Sequence, residues 1–224
     1  MKKNRKNRFQ PGIIYFLGYS VIILWSSGCN SFTTNYKLLE REPTNQEAID
    51  SEEETDSEEL PANVAALLEA VQHGHVEGLR SLIAKGTCVN TPNVSGLYPL
   101  HLCTQAAHQG VAMATLLLEK GANPNVQNAS LCTPLYYAVD NERLDMVILL
   151  AQRGADINIK NSWSDAPIHV AISYKNREIT EYLIKNRTDI HTKNSYKETP
   201  LYLAVESEEE EIVRLLREKM DKIT

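Results

Sequence analysis

The sequence predicts an all-α solenoid, a row of stacked helical units, and two phase-locked series of residues predict it. The blocks Pro99-Leu100-His101, Pro134-Leu135-Tyr136, Pro167-Ile168-His169 and Pro200-Leu201-Tyr202 recur at spacings of 35, 33 and 33 residues. A period near 33 marks units stacked in a line rather than a closed globule. Behind each block runs a second motif in the same phase. Leu117-Leu118-Glu119-Lys120-Gly121-Ala122-Asn123 is echoed by Leu150-Ala151-Gln152-Arg153-Gly154-Ala155-Asp156 and, in degraded form, by Ile184-Lys185-Asn186-Arg187-Thr188-Asp189.

Together these blocks resemble the ankyrin repeat, in which a hairpin-like loop opened by Asp or Asn leads through Thr-Pro-Leu-His into a helix, a turn and a second helix that ends at Gly-Ala-Asp. The resemblance covers residues 61–222. The residue types have local reasons. Thr caps a helix N-terminus, Pro suits the first helical position, and Gly supplies the left-handed residue that stops a helix. With loops opening at Asn93, Asn128, Asn161 and Asn194, the resemblance implies full repeats at 93–127, 128–160, 161–193 and 194–222. A partial repeat at 61–92 precedes them. Its Leu67, Ala70, Gly74-His75, Leu82 and Gly86 fall in phase, but it lacks the Pro block and reads as a cap.

Each unit has too little apolar surface to form a core alone, so stacking must supply it. Leu135, Ala138, Val147, Leu149 and Leu150 are expected to face Ile168, Ala171, Ile179, Leu183 and Ile184 of the next unit. At the far end, Glu208 to Glu211 with Arg214, Arg217 and Lys219 suit a polar C-terminal cap.

The departures from the family pattern bear on stability. No repeat carries both the capping Thr and the following His: His101 and His169 are preceded by Tyr98 and Ala166, while Thr133 and Thr199 are followed by Tyr136 and Tyr202. A lost Thr cap costs about 1 kcal/mol. Arg187 stands where Gly should end a helix, so either it or Asn186 is expected to turn left-handed, and that repeat to fray first. Two extra residues within 105–110 are expected to lengthen one turn without breaking the stack.

The N-terminus follows another plan. Lys2, Lys3, Arg5, Lys6 and Arg8 precede an apolar run over residues 12–25, then Ser26-Ser27-Gly28-Cys29. This is the arrangement of a secretory signal peptide over residues 1–28. Small residues directly before Cys resemble a bacterial lipoprotein signal, which implies that Cys29 is lipidated and becomes the new N-terminus. Ser26 departs from that pattern, which usually has Leu three before the Cys. An uncleaved signal anchor is the alternative, but the run of fourteen residues falls short of the roughly seventeen that a spanning helix needs. Both place the repeats outside the cytoplasm on a membrane, in a bacterial envelope. Asn30 after Cys29 favours the outer membrane weakly.

Residues 29–60 are expected to be a disordered acidic tether, because residues 30–60 hold ten acidic against two basic side chains and few large apolar ones. From residue 61 onward there are sixteen basic and nineteen acidic residues. The mature chain is therefore acidic, which argues against nucleic acid as a partner.

No catalytic constellation stands out, and neither cofactor nor metal site is expected. Besides Cys29, the cysteines Cys88, Cys103 and Cys132 do not form a disulfide framework. Cys103 replaces a small core Ala, and Cys132 lies in a loop where reactivity is open. His75, His101 and His169 sit at consensus positions, and His73 and His75 lack a third ligand at metal spacing.

Family partners lie along the concave face made by loop tips and first helices. Carried over, that face comprises Trp163 and Tyr196 at equivalent tips, Asp165 and Glu198 just after them, and Asp140, Asn141, Tyr174 and Glu206 on the first helices. Exposed Trp and Tyr are common interface anchors. Aromatics ringed by carboxylates imply a protein partner with a basic surface, bound by an otherwise monomeric chain. The readings kept beside this binding module are an immunity protein that neutralises a toxin, a self-associating envelope protein, and an enzyme with a hidden site near Cys132 or His108.

Overall fold

The repeated Pro blocks each start a helix, because Pro at the first helical position has its φ pre-set and no N–H to leave orphaned. The computed structural model describes residues 60–106 and 109–222, and the expected signal peptide, Cys29, the expected acidic tether and His108 lie outside them. Among the described residues the helices are α1 (Ala62–Gln72), α2 (Val76–Ala84), α3 (Pro99–Gln105), α4 (Gly110–Glu119), α5 (Pro134–Asp140), α6 (Leu144–Gln152), α7 (Pro167–Ser173), α8 (Arg177–Lys185), α9 (Pro200–Glu206) and α10 (Glu210–Asp221). Successive pairs form the units. Each first helix packs on its own second helix and on the first helices of the neighbouring units. This all-α ankyrin solenoid has one continuous core. Leu79, Met113, Leu117, Leu135, Met146, Leu150, Ile168, Ile179, Leu183 and Leu216 are fully buried along it, and of the residues expected to face one another only Leu149 is partly exposed.

The alternation of Thr and His has a structural meaning. Thr133 and Thr199 accept the Tyr136 and Tyr202 amides, at 3.1 and 3.2 Å. Where Thr is missing, the ring does the complementary job: His101 Nδ1 accepts the Tyr98 N–H at 3.2 Å and His169 Nδ1 that of Ala166 at 3.0 Å. Every unit with a Pro block thus keeps one half of a reciprocal cap.

Between units, asparagines form a ladder. Asn90 donates to the Gly121 carbonyl at 2.9 Å and accepts the Asn123 amide at 2.8 Å. Asn125 repeats this with Gly154 and Asp156 at 3.3 and 2.8 Å, and Asn158 with Arg187 and Asp189 at 3.0 and 2.8 Å. Each bond contributes about 1 kcal/mol net and ties the end of one second helix to the unit before it.

Helix α8 ends differently from either expectation. Gly86, Gly121 and Gly154 close α2, α4 and α6 with φ of 86 to 90°, but Arg187 is not left-handed and Asn186 is extended at φ −94°, ψ −172°. The free carbonyls are met by side chains instead. The Asn186 amide donates to the Tyr182 carbonyl at 2.6 Å and the Thr188 hydroxyl to that of Leu183 at 2.7 Å. From the next unit, the Lys219 amine donates to the carbonyls of Ile184 and Asn186. A cation at a helix C-terminus is also favoured by the helix dipole.

Candidate protein-binding face

Each loop is built by its opening asparagine. Asn161 Oδ1 accepts the Trp163 and Asp165 amides at 2.9 Å each, and Asn194 Oδ1 those of Tyr196 and Glu198 at 3.0 Å each. Asn93 and Asn128 make the same pair of bonds. The residue after each tip is left-handed: Gly96, but also Leu131, Ser164 and Lys197, at φ of 57 to 74°. A non-Gly residue there costs roughly 1–2 kcal/mol, so these loops hold their shape against local strain.

Adjacent tips are fastened together. Ser162 N–H donates to the Ser130 carbonyl at 2.9 Å, and Ser195 donates to the Trp163 carbonyl through its N–H at 3.1 Å and its hydroxyl at 2.5 Å. These bonds hold Trp163 and Tyr196 on neighbouring tips. Trp163 is 39% and Tyr196 80% exposed.

The residues around them are less free than an acidic rim implies. Asp165 and Glu198 are both half-buried. The Asn194 amide donates to Glu198 Oε2 at 3.3 Å. Burial pushes the Asp165 carboxyl upward, against the attraction of the nearby His169 ring and a hydrogen bond from Asn194. Lys197, next to Tyr196, adds a positive charge at the tip. On the first-helix side, the Tyr174 hydroxyl donates to Asp140 Oδ1 at 3.0 Å, across units. The Asn141 amide donates to the Tyr137 carbonyl at 2.9 Å, and Glu206 is exposed. Sequence reasoning missed Tyr202 and Val205, which are 44% and 52% exposed on α9; their counterparts at the same offset from the Pro block in other units are core residues.

Below the tips, the polar interior differs from junction to junction. Asn128 donates to the Tyr137 hydroxyl at 3.0 Å. In the next unit Val170 replaces that Tyr, and Asn161 Nδ2 is left buried without a partner. His101 Nε2 meets the Cys132 carbonyl at 3.0 Å, whereas His169 Nε2 is buried without a hydrogen-bond partner, although the Asp165 carboxylate and the Thr192 and Glu198 backbones favour protonation of the ring. Burial outweighs this and lowers the His169 pKa.

Cys132 is buried, with its thiol directed to the Ser130 carbonyl at 3.7 Å, so its loop position does not make it accessible. Cys103 is buried too, and burial pushes its thiol far up. At the other end of the row the His73 and His75 rings stack 6.0 Å apart, with His73 Nδ1 engaged by the Glu69 carbonyl at 3.0 Å. Among the described residues no three His, Cys, Asp or Glu side chains gather as a metal-holding group, and no helix is long and apolar enough to cross a membrane.

A sequence model described as ankyrin repeats (3 copies) matches the chain over residues 43–128, 67–161 and 158–224. No curated protein matches it. The three matched stretches cover most of the chain, and together they take in every described helix, so the chain belongs to the ankyrin-repeat family.

Proposed function

We propose that this chain is an exported, membrane-tethered ankyrin-repeat protein that binds a partner protein through the tips and first helices of the third to fifth units, and that it performs no chemistry. Ankyrin repeats are protein-interaction modules, and a binding role fits the fold. The observation that carries the reading is the pair Trp163 and Tyr196, exposed on tips that are hydrogen-bonded to each other. Large rigid rings presented on a fixed backbone lose little entropy on binding and are typical anchors. Asp140, Glu206 and the half-buried Asp165 and Glu198 give the helix side of this face an acidic character suited to a basic partner, speeding encounter more than adding affinity.

A crosslinking pull-down from intact cells tests this, comparing the native chain with a Trp163→Ala, Tyr196→Ala variant first shown to fold. Loss of one dominant, basic partner is the expected outcome, with binding weakened by roughly 2 kcal/mol or more, about thirtyfold. Recovery of the same proteins by both forms would remove the tips from the interface.

The tether rests on the N-terminal segment. Lipidation of Cys29 predicts that a fatty-acid label supplied to a lipoprotein-processing bacterium is incorporated into the chain and that Cys29→Ser abolishes incorporation. An uncleaved anchor would instead leave the substituted chain in the membrane fraction with residues 1–28 intact.

A further inference from the structure

The first and last described units are finished differently on their outer sides. On the first helix, the position that is buried as Leu102, Tyr137, Val170 and Leu203 in later units is exposed Glu69 in the first. On the second helix, Ser81 is exposed where Leu116 is buried. The N-terminal end is thus polar.

The C-terminal end is apolar at its centre. Tyr202 and Val205 are 44% and 52% exposed, while the residues at those two positions in every preceding unit are buried: Leu68 and Val71, His101 and Thr104, Tyr136 and Val139, His169 and Ile172. On α10 the same side continues with part-buried Val213 and exposed Arg217, where α8 has buried Thr180 and Ile184. Of the glutamates and basic residues expected to form a polar cap, Glu210 and Arg217 lie along this side but leave Tyr202 and Val205 exposed. Lys219 is turned back onto α8, and Glu211 pairs with Arg214 at 2.7 Å. What remains is a surface built like the inside of the row.

Charge decides what fits it. Glu210, Val213 and Arg217 lie three and four residues apart, on one face of α10, with the acid at one end, the base at the other and the apolar residue between. Such a strip is complementary to itself when two copies meet antiparallel about a two-fold axis, the geometry of an isologous interface. Head-to-tail growth is disfavoured, since it would set Glu69 and Ser81 against Tyr202 and Val205.

We propose that this end face binds a second copy of the chain, with Tyr202, Val205 and Val213 at the centre and Glu210 of each copy against Arg217 of the other. This is independent of the tip surface and replaces the expectation of a monomer. It would present two tip surfaces in one assembly, and so raise avidity for a repeated partner.

The test uses the full-length chain in cells, in a Cys88→Ser background, with Val205→Cys near the axis and a short bis-maleimide. A product of twice the chain mass is expected from Val205→Cys and not from Val94→Cys, which is the more exposed of the two and lies on the loop tip of the second unit, away from this face. Arg217→Glu should lower the yield about tenfold, and adding Glu210→Arg should restore it by swapping the pair. The proposal is overturned if Val205→Cys gives no product, gives a product of another mass, or gives no more than Val94→Cys. It is equally overturned if Arg217→Glu leaves the yield unchanged or Glu210→Arg fails to restore it.

Discussion

Lowering the pH from 7 to 4 should destabilise the repeat domain by about 3 kcal/mol through His101 alone, because burial lowers that ring's pKa from 6.5 to about 4. The hydrogen bonds explain the preference for the neutral ring. Nδ1 accepts the Tyr98 N–H, so it holds no proton, and Nε2 carries the one given to the Cys132 carbonyl. A second proton must go to Nδ1, where it breaks the helix cap and puts an uncompensated charge in the core. In the unfolded chain the ring titrates normally, so between pH 6.5 and 4 the unfolded state binds more protons. Stability is therefore whole above 6.5, falls as the pH drops through that window, and levels off below 4. His169, also lowered by burial, adds a loss of the same sign. Asp165, raised by burial, works in the opposite direction by taking up a proton more readily when folded. Asp145 and Glu181, both held low chiefly by hydrogen bonds from Arg143 and Arg177, begin to lose their contribution only at the acid end. The check is the urea midpoint of the chain measured from pH 7 to 4 beside that of His101→Leu. The variant starts less stable but should be flatter by most of the slope, and parallel curves would show that His101 is not the titrating group.

That dependence was half legible in the residues. The alternation of Thr and His at the helix starts could be read directly, and it was counted as loss. The structure shows that each partner alone still makes its own bond, because Thr serves the third helical amide and His the capping one. Period, helix pairs and Asn-opened loops were legible because they are local and repeat. What escaped depends on the next unit. Asn90, Asn125 and Asn158 look like loop polar residues until the neighbouring helix end is placed against them. Lys219 reads as part of a charged last turn, yet it crosses to α8 and supplies what the missing Gly at 187 does not. Asp165 and Glu198 follow the tips in sequence, as a rim would, but Asn194 draws the acidic groups inward. Tyr202 and Val205 match the core positions of other units and differ in that no described unit packs on them.

Gly110→Ala should cost about 2–3 kcal/mol, the scale of overpacking in a tight core. The extra residues of the second unit suggest a slack turn where substitutions are harmless. At the start of α4, however, a Cβ on Gly110 would lie 2.2 Å from the Cys103 carbonyl oxygen and 3.4 Å from the Met146 side chain. The oxygen belongs to the backbone of α3 and cannot swing away, so the two helices would have to part. Their junction is also the support of the neighbouring unit, since Met113 and Met146 beneath it are fully buried. Gly121 separates this steric cause from a conformational one. A Cβ there meets nothing within 4 Å, but its φ of 86° strains any other residue. Gly121→Ala should therefore lose roughly 1–2 kcal/mol through backbone strain, with packing intact. Urea unfolding of the two variants measures the difference, and amide exchange locates it. Gly110→Ala should raise exchange in α3 and α4 together, whereas Gly121→Ala should raise it only in the last turn of α4. Equal losses confined to α4 would mean that α3 yields freely, and that the lengthened turn is as slack as its sequence suggests.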